Sequence, residues 1–337
     1  MAGTPDDMAE TPPHSLTVMD ALSEVLRAVR FSGGIFHEAN FRGPWCLRSQ
    51  IAPGDCGLGV KADGGLVSFH YVLDGRVQVR LGREKPRIAT PGEIILVSHN
   101  DPHLLGSDVT LPPIDARPLI RKAAEHELPR IDYGSGQEVI DRFVCGYLST
   151  TIRDNPLLAA LPPLLVADLR GRPCAEWAET SFRYAAREHA SQRPGSQEIL
   201  SRLSEMLFVE AVRGYIEGLP SEATGWLAAL RDPSLARALS AFHLRPAHPW
   251  TAGDLAKQAC LSRSAFAERF TSTVGLPPMG YLTRWRMLLA SQRLHESSDT
   301  IAQVAAAVGY ESEFTFSRAF RRETGLSPGA WRKRNAI

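Results

Sequence analysis

One residue pattern occurs twice in the last third of the chain, with an offset of 50 residues. The first copy is AFAERFTSTVGLPPMGYLTRWR, residues 265–286, and the second is TFSRAFRRETGLSPGAWRKR, residues 315–334. The shared positions are Phe266 and Phe316, Phe270 and Phe320, Gly275 and Gly325, Pro278 and Pro328, and Tyr281 and Trp331. Because a stacked solenoid needs at least about three repeats, two copies indicate one small folding unit that is used twice.

Each copy is predicted to be two short helices joined by a tight turn. In the second helix, two phenylalanines four residues apart form one buried stripe, and a glycine ends the helix where a left-handed residue is favoured. The other signals are a capping box (Thr251 with Asp254, Thr300 with Gln303), a break at the turn (Cys260, Gly309) and a serine N-cap (Ser262, Ser312).

A helix pair with a polar second helix is typical of helix-turn-helix units, which place that helix in the major groove of DNA. A connecting helix is predicted over residues 279–294, with Leu282, Trp285, Leu288 and Leu289 on one side. To enter successive major grooves, the two recognition helices must lie about 34 Å apart. The repeat therefore predicts two DNA-reading units whose separation is fixed by the connecting helix.

Charge is divided unevenly along the chain. Residues 233–337 hold 14 Lys and Arg against 7 Asp and Glu, whereas the whole chain of 337 residues has a net charge of only +1. A basic segment joined to an acidic body is typical of a nucleic-acid-binding domain attached to a domain of another kind. The alternative is a basic face that is merely solvated.

The last hundred residues resemble the DNA-binding domain of AraC-family transcription regulators. The resemblance rests on LAKQACLSRSAFAERF, GLPPMGYLTRWRM, IAQVAAAVGYESEFTFSRAF and GLSPGAWRKR, and Cys260 departs from the glycine or other small residue that is frequent in the family. It implies a DNA-binding domain over residues 233–337, with helix-turn-helix motifs at 252–273 and 301–324. It also implies double-stranded DNA and RNA polymerase as partners.

The resemblance further implies which side chains face DNA. Base contacts are expected from Arg263, Ser264, Ala267, Glu268, Glu313, Phe314, Thr315, Ser317 and Arg318. Phosphate contacts are expected from Ser262, Arg269, Ser312, Arg321, Arg322, Arg332, Lys333 and Arg334. The alternative for Glu268 and Glu313 is an ion pair with a neighbouring arginine. The repeated phenylalanines and Trp285 are expected in the core.

The N-terminal part of the chain has a different periodicity. After a predicted helix over residues 20–30, short alternating apolar runs punctuated by Gly, Pro and Asp predict an antiparallel β-sandwich or barrel. The runs are GIFHEANF, WCLRSQIA, LVSFHYVLDG, RVQVRLG and GEIILVS. Gly64 with His70, and Gly92 with His103, resemble the two motifs of cupins, which are small jelly-roll barrels. Residues 18–150 are therefore expected to form a cupin-like sensor domain.

A barrel of this size can enclose one small ligand. The predicted effector pocket consists of Trp45, His70, Tyr71 and His103. A cupin metal site needs three or four converging ligands, and Val72 stands where a second histidine is required, so neither a metal nor another cofactor is predicted. No hydrolase, P-loop or zincin motif occurs, so no catalytic residue is predicted. A metal-dependent cupin enzyme with a DNA-binding tail is the alternative function.

Cysteine usage suggests a reducing environment. The chain has five cysteines and no CxxC pair, which is typical of a cytoplasmic protein. Cys56, in the polar run PGDCG, is the predicted redox-sensitive thiol, whereas Cys46 and Cys145 lie in apolar runs and are expected to be buried and inert. The opening MAGTPDDMAE lacks the apolar run of a signal peptide, which also favours the cytoplasm.

The region between the barrel and the DNA-binding domain is expected to consist of a loop, then a strand, then helices. Residues 107–137, rich in Pro, Gly and charge, are predicted to be a long loop, and VIDRFVCGYLST a strand. Residues 151–232 are predicted to be a helical linker with helices near 175–191 and 197–217. The second helix has an apolar stripe that suits packing on the barrel or a homodimer contact, and the family resemblance favours the dimer. The stripe is Leu200, Leu203, Leu207, Ala211 and Tyr215.

These features predict an α+β chain: a cupin-like β-barrel, a helical dimerisation or linker segment, and an all-α domain of two helix-turn-helix motifs joined by a long helix. The predicted function is sequence-specific regulation of transcription, controlled by a small-molecule or redox signal that the barrel receives. Such control requires the signal to bind one of two arrangements more tightly than the other.

Overall fold

The computed structural model of the chain describes residues 20–335 apart from residues 30, 53–64, 116, 122–128 and 151–155 and several positions between 173 and 192. Gly64 and Cys56 therefore lie outside the described residues. Within the described part of the chain, no helix is long and apolar enough to cross a bilayer.

Strands dominate the N-terminal region. They are β1 (Ser32–Phe41), β2 (Cys46–Ser49), β3 (Gly65–Asp74), β4 (Val77–Leu81), β5 (Arg87–Ala89), β6 (Glu93–Val97), β7 (His103–Gly106), β8 (Ile114–Asp115), β9 (Ile120–Arg121), β10 (Arg130–Tyr133), β11 (Asp141–Thr150) and β12 (Leu164–Asp168). Among the described residues, seven pair in the order β12-β6-β3-β11-β1-β10-β9, and five pair in the order β5-β4-β7-β2-β8. The predicted sheet-rich, cupin-like domain is confirmed.

The two faces of the seven-stranded sheet bury different side chains, because successive residues of a strand point to opposite sides. In β3, Tyr71 belongs to the apolar cluster that covers the outer face, and Val72 belongs to the cluster between the two sheets. Phe41 stacks on Trp45 and on Phe143 in this inner cluster, with ring centroids 3.7 Å and 5.6 Å apart. The space between the sheets is therefore lined mainly by aromatic and aliphatic side chains.

Two parts of this domain differ from the sequence-based expectation. Residues 107–137 are not one loop, because they contain the short strands β8, β9 and β10. The apolar stretch after Pro163 forms β12, which pairs antiparallel with β6. Strands of two to five residues are too short to show a recognisable alternation, so the sequence did not reveal them.

Helices cover the outer face of the seven-stranded sheet. They are α1 (Ala21–Val29), α2 (Pro156–Ala160) and α3 (Ser196–Gly218), and further helical residues lie between 175 and 188. The apolar stripe of α3 packs against this sheet, with Leu200, Leu207 and Ala211 buried. The backbone N–H of Gly33 in β1 donates to Ser201 Oγ of α3 at 3.0 Å. The stripe therefore packs on the barrel, which was the alternative to a dimer contact, and the homodimer itself stays a prediction.

The C-terminal region is helical. Its helices are α4 (Trp226–Ala229), α5 (Pro233–Leu244), α6 (Ala252–Gln258), α7 (Arg263–Val274), α8 (Pro278–Glu296), α9 (Ile301–Ala307), α10 (Glu313–Thr324) and α11 (Pro328–Asn335). The predicted helix-turn-helix pairs are α6 with α7 and α9 with α10. Both capping boxes form, and Gly275 and Gly325 end the recognition helices with φ of 82° and 77°.

The connecting helix α8 contributes to the cores of both helix-turn-helix units. Leu282 packs with Phe266 and Phe270 of the first unit. Further along α8, Met287, Ala290 and Leu294 pack with the equivalent phenylalanines of the second unit. Because one continuous helix enters both cores, the separation of the two units depends on α8.

The first helix-turn-helix unit also contacts the N-terminal domain. Ala21 of α1 belongs to the apolar core of that unit. His243 Nδ1, at the end of α5, lies 3.2 Å from the carbonyl oxygen of Ala21. Trp285 of α8 packs in the cluster that contains Leu22 and Val25 of α1. Helix α1 is therefore shared between the two domains.

Candidate nucleic-acid interface and barrel interior

The first recognition helix, α7, presents its predicted base-contacting residues to solvent. Ser262 fixes the start of the helix, since its Oγ accepts from the backbone N–H of Ala265 at 3.2 Å. The phenylalanines of α7 are fully buried, which orients the opposite face outward. The predicted base-contacting residues are exposed or partly exposed: Arg263, Ser264, Ala267 and Glu268.

The second recognition helix, α10, has an aromatic side chain at its exposed end. Phe314 is 70% exposed, and the guanidinium carbon of Arg318 lies 5.8 Å from the centre of its ring. An arginine can bond guanine O6 and N7, and a phenylalanine can contact the methyl group of thymine. The remaining predicted base-contacting residues of α10 are also exposed or partly exposed: Glu313, Thr315 and Ser317.

The carboxylates of Glu268 and Glu313 form no ion pair with another described residue. The alternative in which both glutamates neutralise neighbouring arginines therefore has no support among those residues. A carboxylate on a recognition helix can accept a hydrogen bond from cytosine N4, so base contact stays the prediction for both.

Two of the predicted phosphate-contacting arginines contact distant parts of the protein, whereas Arg322 pairs with its neighbour Glu323, with 3.3 Å between Nε and Oε1. Arg269 Nε lies 2.6 Å from Asp232 Oδ2, at the N-cap of α5. Arg332 donates to the backbone carbonyls of Leu294, in the last turn of α8, and of Asp299, just past its end. Both guanidinium groups therefore hold helix ends in place. The other predicted phosphate-contacting residues are exposed: Ser262, Ser312, Arg321, Arg322, Lys333 and Arg334.

The barrel interior contains a row of polar side chains between the two sheets. Cys145 Sγ of β11 lies 2.9 Å from His70 Nδ1 of β3, and His70 Nε2 lies 3.0 Å from His103 Nε2 of β7. His103 Nδ1 lies 2.9 Å from the carbonyl oxygen of Asp101. His70 and Cys145 also face each other in the strand register. Three strands thus contribute one continuous hydrogen-bonded chain.

Only one arrangement of protons satisfies every contact of this chain while both imidazole rings and the thiol stay neutral. The carbonyl of Asp101 can only accept, so His103 Nδ1 must carry a proton and His103 Nε2 must accept. His70 Nε2 then donates to His103, which leaves His70 Nδ1 to accept the thiol proton of Cys145. In this arrangement, both imidazole rings and the thiol are neutral.

Burial keeps the chain neutral. It lowers the pKa of His70 well below the usual value for histidine, and the neighbouring His103 and His37 lower it further. Burial also lowers the pKa of His103, against an opposing effect of Asp101. The pKa of the Cys145 thiol is raised by burial. Since removal from water disfavours every charged form, the interior carries no ionised group of this chain near neutral pH.

The predicted effector pocket is only partly assembled. His70 and His103 meet. Trp45 lies in the same interior, because it stacks on Phe143, and the rings of Phe143 and His70 meet at 84° with their centroids 6.0 Å apart. Tyr71 lies on the outer face of the sheet among the helices, so it cannot share a pocket with them. Adjacent strand residues point in opposite directions, which excludes His70 and Tyr71 from one cavity.

Sequence reasoning treated Cys145 as an inert thiol and did not place it beside the histidines. The alternation of β11 was the signal available, since Phe143 and Cys145 share a face. A further missed residue is Asp141, whose buried carboxylate accepts from Trp45 Nε1 at 2.6 Å and from the backbone N–H of Arg76 at 2.8 Å. Among the described residues, no three His, Cys, Asp or Glu side chains are arranged to hold a metal ion.

Comparison with known proteins decides the family. The sequence model of the Cupin family matches residues 20–217, and that of a Helix-turn-helix domain matches residues 255–334. An AraC-like transcription regulator of Streptomyces lividans is 34% identical over 319 residues, which cover 94% of this chain and 98% of that protein. This chain belongs to the AraC family of transcription regulators.

A second regulator is similar over almost the whole chain, and a solved structure is similar over about a third of it. The HTH-type transcriptional regulator AlkR of Acinetobacter baylyi is 31% identical over 320 residues, which cover 94% of this chain and all of that protein. A solved structure of an AraC-type transcriptional regulator from Chromobacterium violaceum is 28% identical and covers 32% of this chain and 96% of that one, with a TM-score of 0.31. Full-length relatives named as regulators support a regulator rather than an enzyme, and the AraC-type domain implies binding to double-stranded DNA.

Proposed function

We propose that this AraC-family regulator reads DNA with α7 and α10 at the same time, in successive major grooves of one face of the duplex. The proposal rests on the single helix α8. This helix has 19 residues, and it contributes side chains to the cores of both helix-turn-helix units. A 19-residue helix is about 28 Å long, close to the roughly 34 Å of one turn of B-DNA.

Hydroxyl-radical footprinting of the full-length protein on a bound site tests this geometry. Two protected patches are expected, separated by about one helical turn of 10.5 base pairs. Ser264→Glu should weaken only the patch under α7, and Ser317→Glu only the patch under α10, since a new carboxylate repels the phosphates beside each helix. One continuous patch, or loss of both patches in either variant, would contradict the proposal.

We infer that the cupin domain receives a small-molecule or redox signal in the barrel interior, at the chain of Cys145, His70 and His103. These three polar groups are buried, and a polar chain inside an otherwise apolar cluster is the type of feature that fixes and recognises a bound molecule. An oxidised Cys145 or a bound polar molecule would break the single proton arrangement of the chain.

Operator affinity with and without the signal tests this inference. Hydrogen peroxide and candidate small molecules are applied to the full-length protein, and the Kd for operator DNA is measured. The wild type should respond, whereas Cys145→Ser and His70→Asn should not. Cys260→Ser serves as the control, because Cys260 is exposed at the DNA-binding turn and far from the barrel interior. Equal responses of the wild type and Cys145→Ser would contradict the inference.

We also propose that the protein acts as a homodimer that contacts RNA polymerase. The outward face of α3 carries Met206, whose side chain is 48% exposed among charged residues. A dimer would present two pairs of recognition helices to repeated half-sites of the DNA. Sedimentation velocity of the wild type and Met206→Glu tests the dimer, and a wild type that stays monomeric at all concentrations would exclude it. In vitro transcription with purified polymerase tests the second contact.

A further inference from the structure

A half-buried arginine of the connecting helix α8 contacts both helix-turn-helix units. Arg286 Nε donates to the carbonyl oxygen of Pro246 at 2.7 Å, and Arg286 Nη2 donates to that of His248 at 2.9 Å. Its guanidinium carbon also lies 5.7 Å from the centre of the Tyr310 ring. Pro246 and His248 lie in the loop that connects α5 to α6, and Tyr310 lies in the turn of the second unit. One side chain therefore joins the loop before the first unit to the turn of the second.

The loop that carries Pro246 and His248 is fixed to the first unit. It leads into Trp250, which is 5% exposed and packs in the apolar core of that unit. The indole Nε1–H of Trp250 donates to the carbonyl of Arg245 at 2.9 Å, and the guanidinium carbon of Arg245 lies 4.9 Å from the centre of the indole. The loop and the first unit are therefore expected to move together.

Tyr310 is fixed to the second unit in a similar way. Its backbone N–H donates to the carbonyl of Ala305 at 2.9 Å, and its ring meets that of Phe316 at 66° with the centroids 5.7 Å apart. The preceding Gly309 lies directly against the loop, since a Cβ atom there would be 2.6 Å from the carbonyl oxygen of Ala247. The backbone of the loop and the backbone of the second turn are thus in close contact.

The charge of Arg286 is not used in an ion pair. Within the part of the chain that the structure describes, no carboxylate lies at ion-pair distance from its guanidinium. Its donors bond carbonyl oxygens instead, and its cation lies over an aromatic ring, which attracts it. A planar guanidinium suits this role, because its several N–H groups point in fixed directions, whereas lysine offers a single flexible ammonium.

A connecting helix alone leaves some freedom of rotation between the two units. Each unit packs on its own part of α8, and long helices curve gently. One base pair of B-DNA corresponds to about 3.4 Å along the duplex and about 34° around it, so a rotation of this order would move one recognition helix out of register. A second contact between the units, away from the axis of α8, restricts that rotation.

We propose that Arg286 is a positioning residue that fixes the rotation of α10 relative to α7, and thereby sets the base-pair spacing at which both helices read one duplex. The inference rests on the proposed function, in which α7 and α10 bind successive major grooves together. Arg286 contacts no base in this role, since its donors are directed to Pro246 and His248. Its loss leaves each unit able to bind its own block of bases, but it lets the pair accept several spacings.

Operators of altered spacing test this role. A site that the full-length wild type selects from random double-stranded DNA is remade with one base pair removed between its two blocks, with one added and with two added. A further DNA keeps only one block. The Kd of each DNA is measured for the wild type, Arg286→Ala, Arg286→Lys and Arg293→Ala. Arg293 is the matched control, because it is an arginine of the same helix whose partner Asp299 lies beside the second unit alone.

The wild type should bind the selected spacing about tenfold more tightly than each altered spacing, since one recognition helix then meets the wrong bases. Arg286→Ala should reduce this preference to about threefold or less and weaken binding at the selected spacing, because two loosely joined units must be ordered on binding. Its Kd for the single-block DNA should equal that of the wild type. Arg286→Lys should lie between the two, and Arg293→Ala should keep the wild-type preference.

Three results would overturn the proposal. The first is a wild-type spacing preference in Arg286→Ala, and the second is an equal loss of preference in Arg293→Ala. The third is an equal loss of affinity of Arg286→Ala for single-block and two-block DNA, which a residue that only supports folding or contacts a phosphate would give. Melting temperatures verify that each variant is folded. If Arg286→Ala does not fold, Arg286→Lys decides, and a wild-type preference in that variant overturns the proposal.

Failure of the DNA-reading proposal gives a different result. A wild type that binds all spacings equally would contradict simultaneous reading by α7 and α10, and the role of Arg286 would fall with it. A wild type with one preferred spacing that every Arg286 variant shares would contradict only the role of Arg286.

Discussion

Cys260 and Gly309 occupy the same position in the turns of the two helix-turn-helix units, and both have positive φ, 55° and 84°. Cys260 is exposed. At Gly309 a Cβ atom would lie 2.6 Å from the carbonyl oxygen of Ala247. The turn requires the left-handed conformation in both units, but only the second unit also requires the absence of a side chain.

Substitution at these two positions should have opposite effects on stability. Cys260→Gly should raise the free energy of unfolding by about 0.5–1 kcal/mol, because glycine adopts a positive φ without the steric cost of a Cβ. Gly309→Ala should lower it by about 1–3 kcal/mol, because the methyl group collides with backbone. Urea denaturation of both variants measures the difference, and destabilisation by Cys260→Gly would contradict this account of the turn.

Arg318 is expected to read a base. Arg318→Ala should lose discrimination at one or two positions of the site, about 1–3 kcal/mol if the contact to guanine is bidentate. Selection from a randomised site with the wild type and the variant measures the preference at each position. If the two preferences were the same, Arg318 would not be a reader.

Arg321 and Lys333 are expected to contact phosphates, and they replace Arg332 as test positions because Arg332 is bonded to the end of α8. Each alanine variant should weaken binding to every sequence alike and reduce the slope of log K against log salt by about one. Arg332→Ala is the informative comparison, since it should also lower the melting temperature. A sequence-dependent loss in Arg321→Ala would contradict the assignment.

Buried histidines should make the protein sensitive to acid. Burial lowers the pKa of His37 to about 3 and that of His243 to about 4, whereas an unfolded histidine titrates near 6.5. As the pH falls, the unfolded state therefore takes up protons before the folded state does. The contribution of these histidines to the free energy of unfolding should be constant above about pH 7 and should fall below about pH 6.5. The fall should reach at most about 1.4 kcal/mol per pH unit for each histidine.

Urea denaturation between pH 4.5 and pH 8 measures this dependence. His243→Asn should reduce the slope below pH 6.5, and His99→Asn should not, because His99 is exposed. A stability that rises towards low pH would contradict the neutral, buried state of these imidazoles.

Trp45 is expected to stabilise the barrel through Asp141. Trp45→Phe keeps an aromatic ring against Phe41 but removes the donor to a buried carboxylate. The free energy of unfolding should fall by about 1–3 kcal/mol, since the carboxylate loses a hydrogen bond that water cannot replace. Trp45→Phe combined with Asp141→Asn should cost less than the sum of the two single changes, and additive costs would show that the pair is not coupled.

The sequence predicted the DNA-binding domain well because its signals are local. Capping boxes, serine N-caps, paired phenylalanines and glycine C-caps each act within one helix or turn, and the structure places all of them as expected. The sequence predicted the strands β1, β2, β3, β4, β6 and β11 of the barrel, but not β5, β7, β8, β9, β10 and β12.

The interior of the barrel and the interface between the two domains depend on contacts between distant residues. Cys145 meets His70 only through the pairing of β11 with β3, and Trp285 meets α1 only after the two domains dock. The stripe of α3 could suit a sheet or a second helix equally, since periodicity shows that a face is buried but not what covers it.

Selection of bound sites from a random pool of double-stranded DNA tests the central claim most directly. The wild type should select two short blocks of base preference whose centres lie about one helical turn apart, and Arg318→Ala should change one block while leaving the other intact. A single block of preference, or no preferred sequence at all, would contradict an arrangement in which α7 and α10 read DNA together.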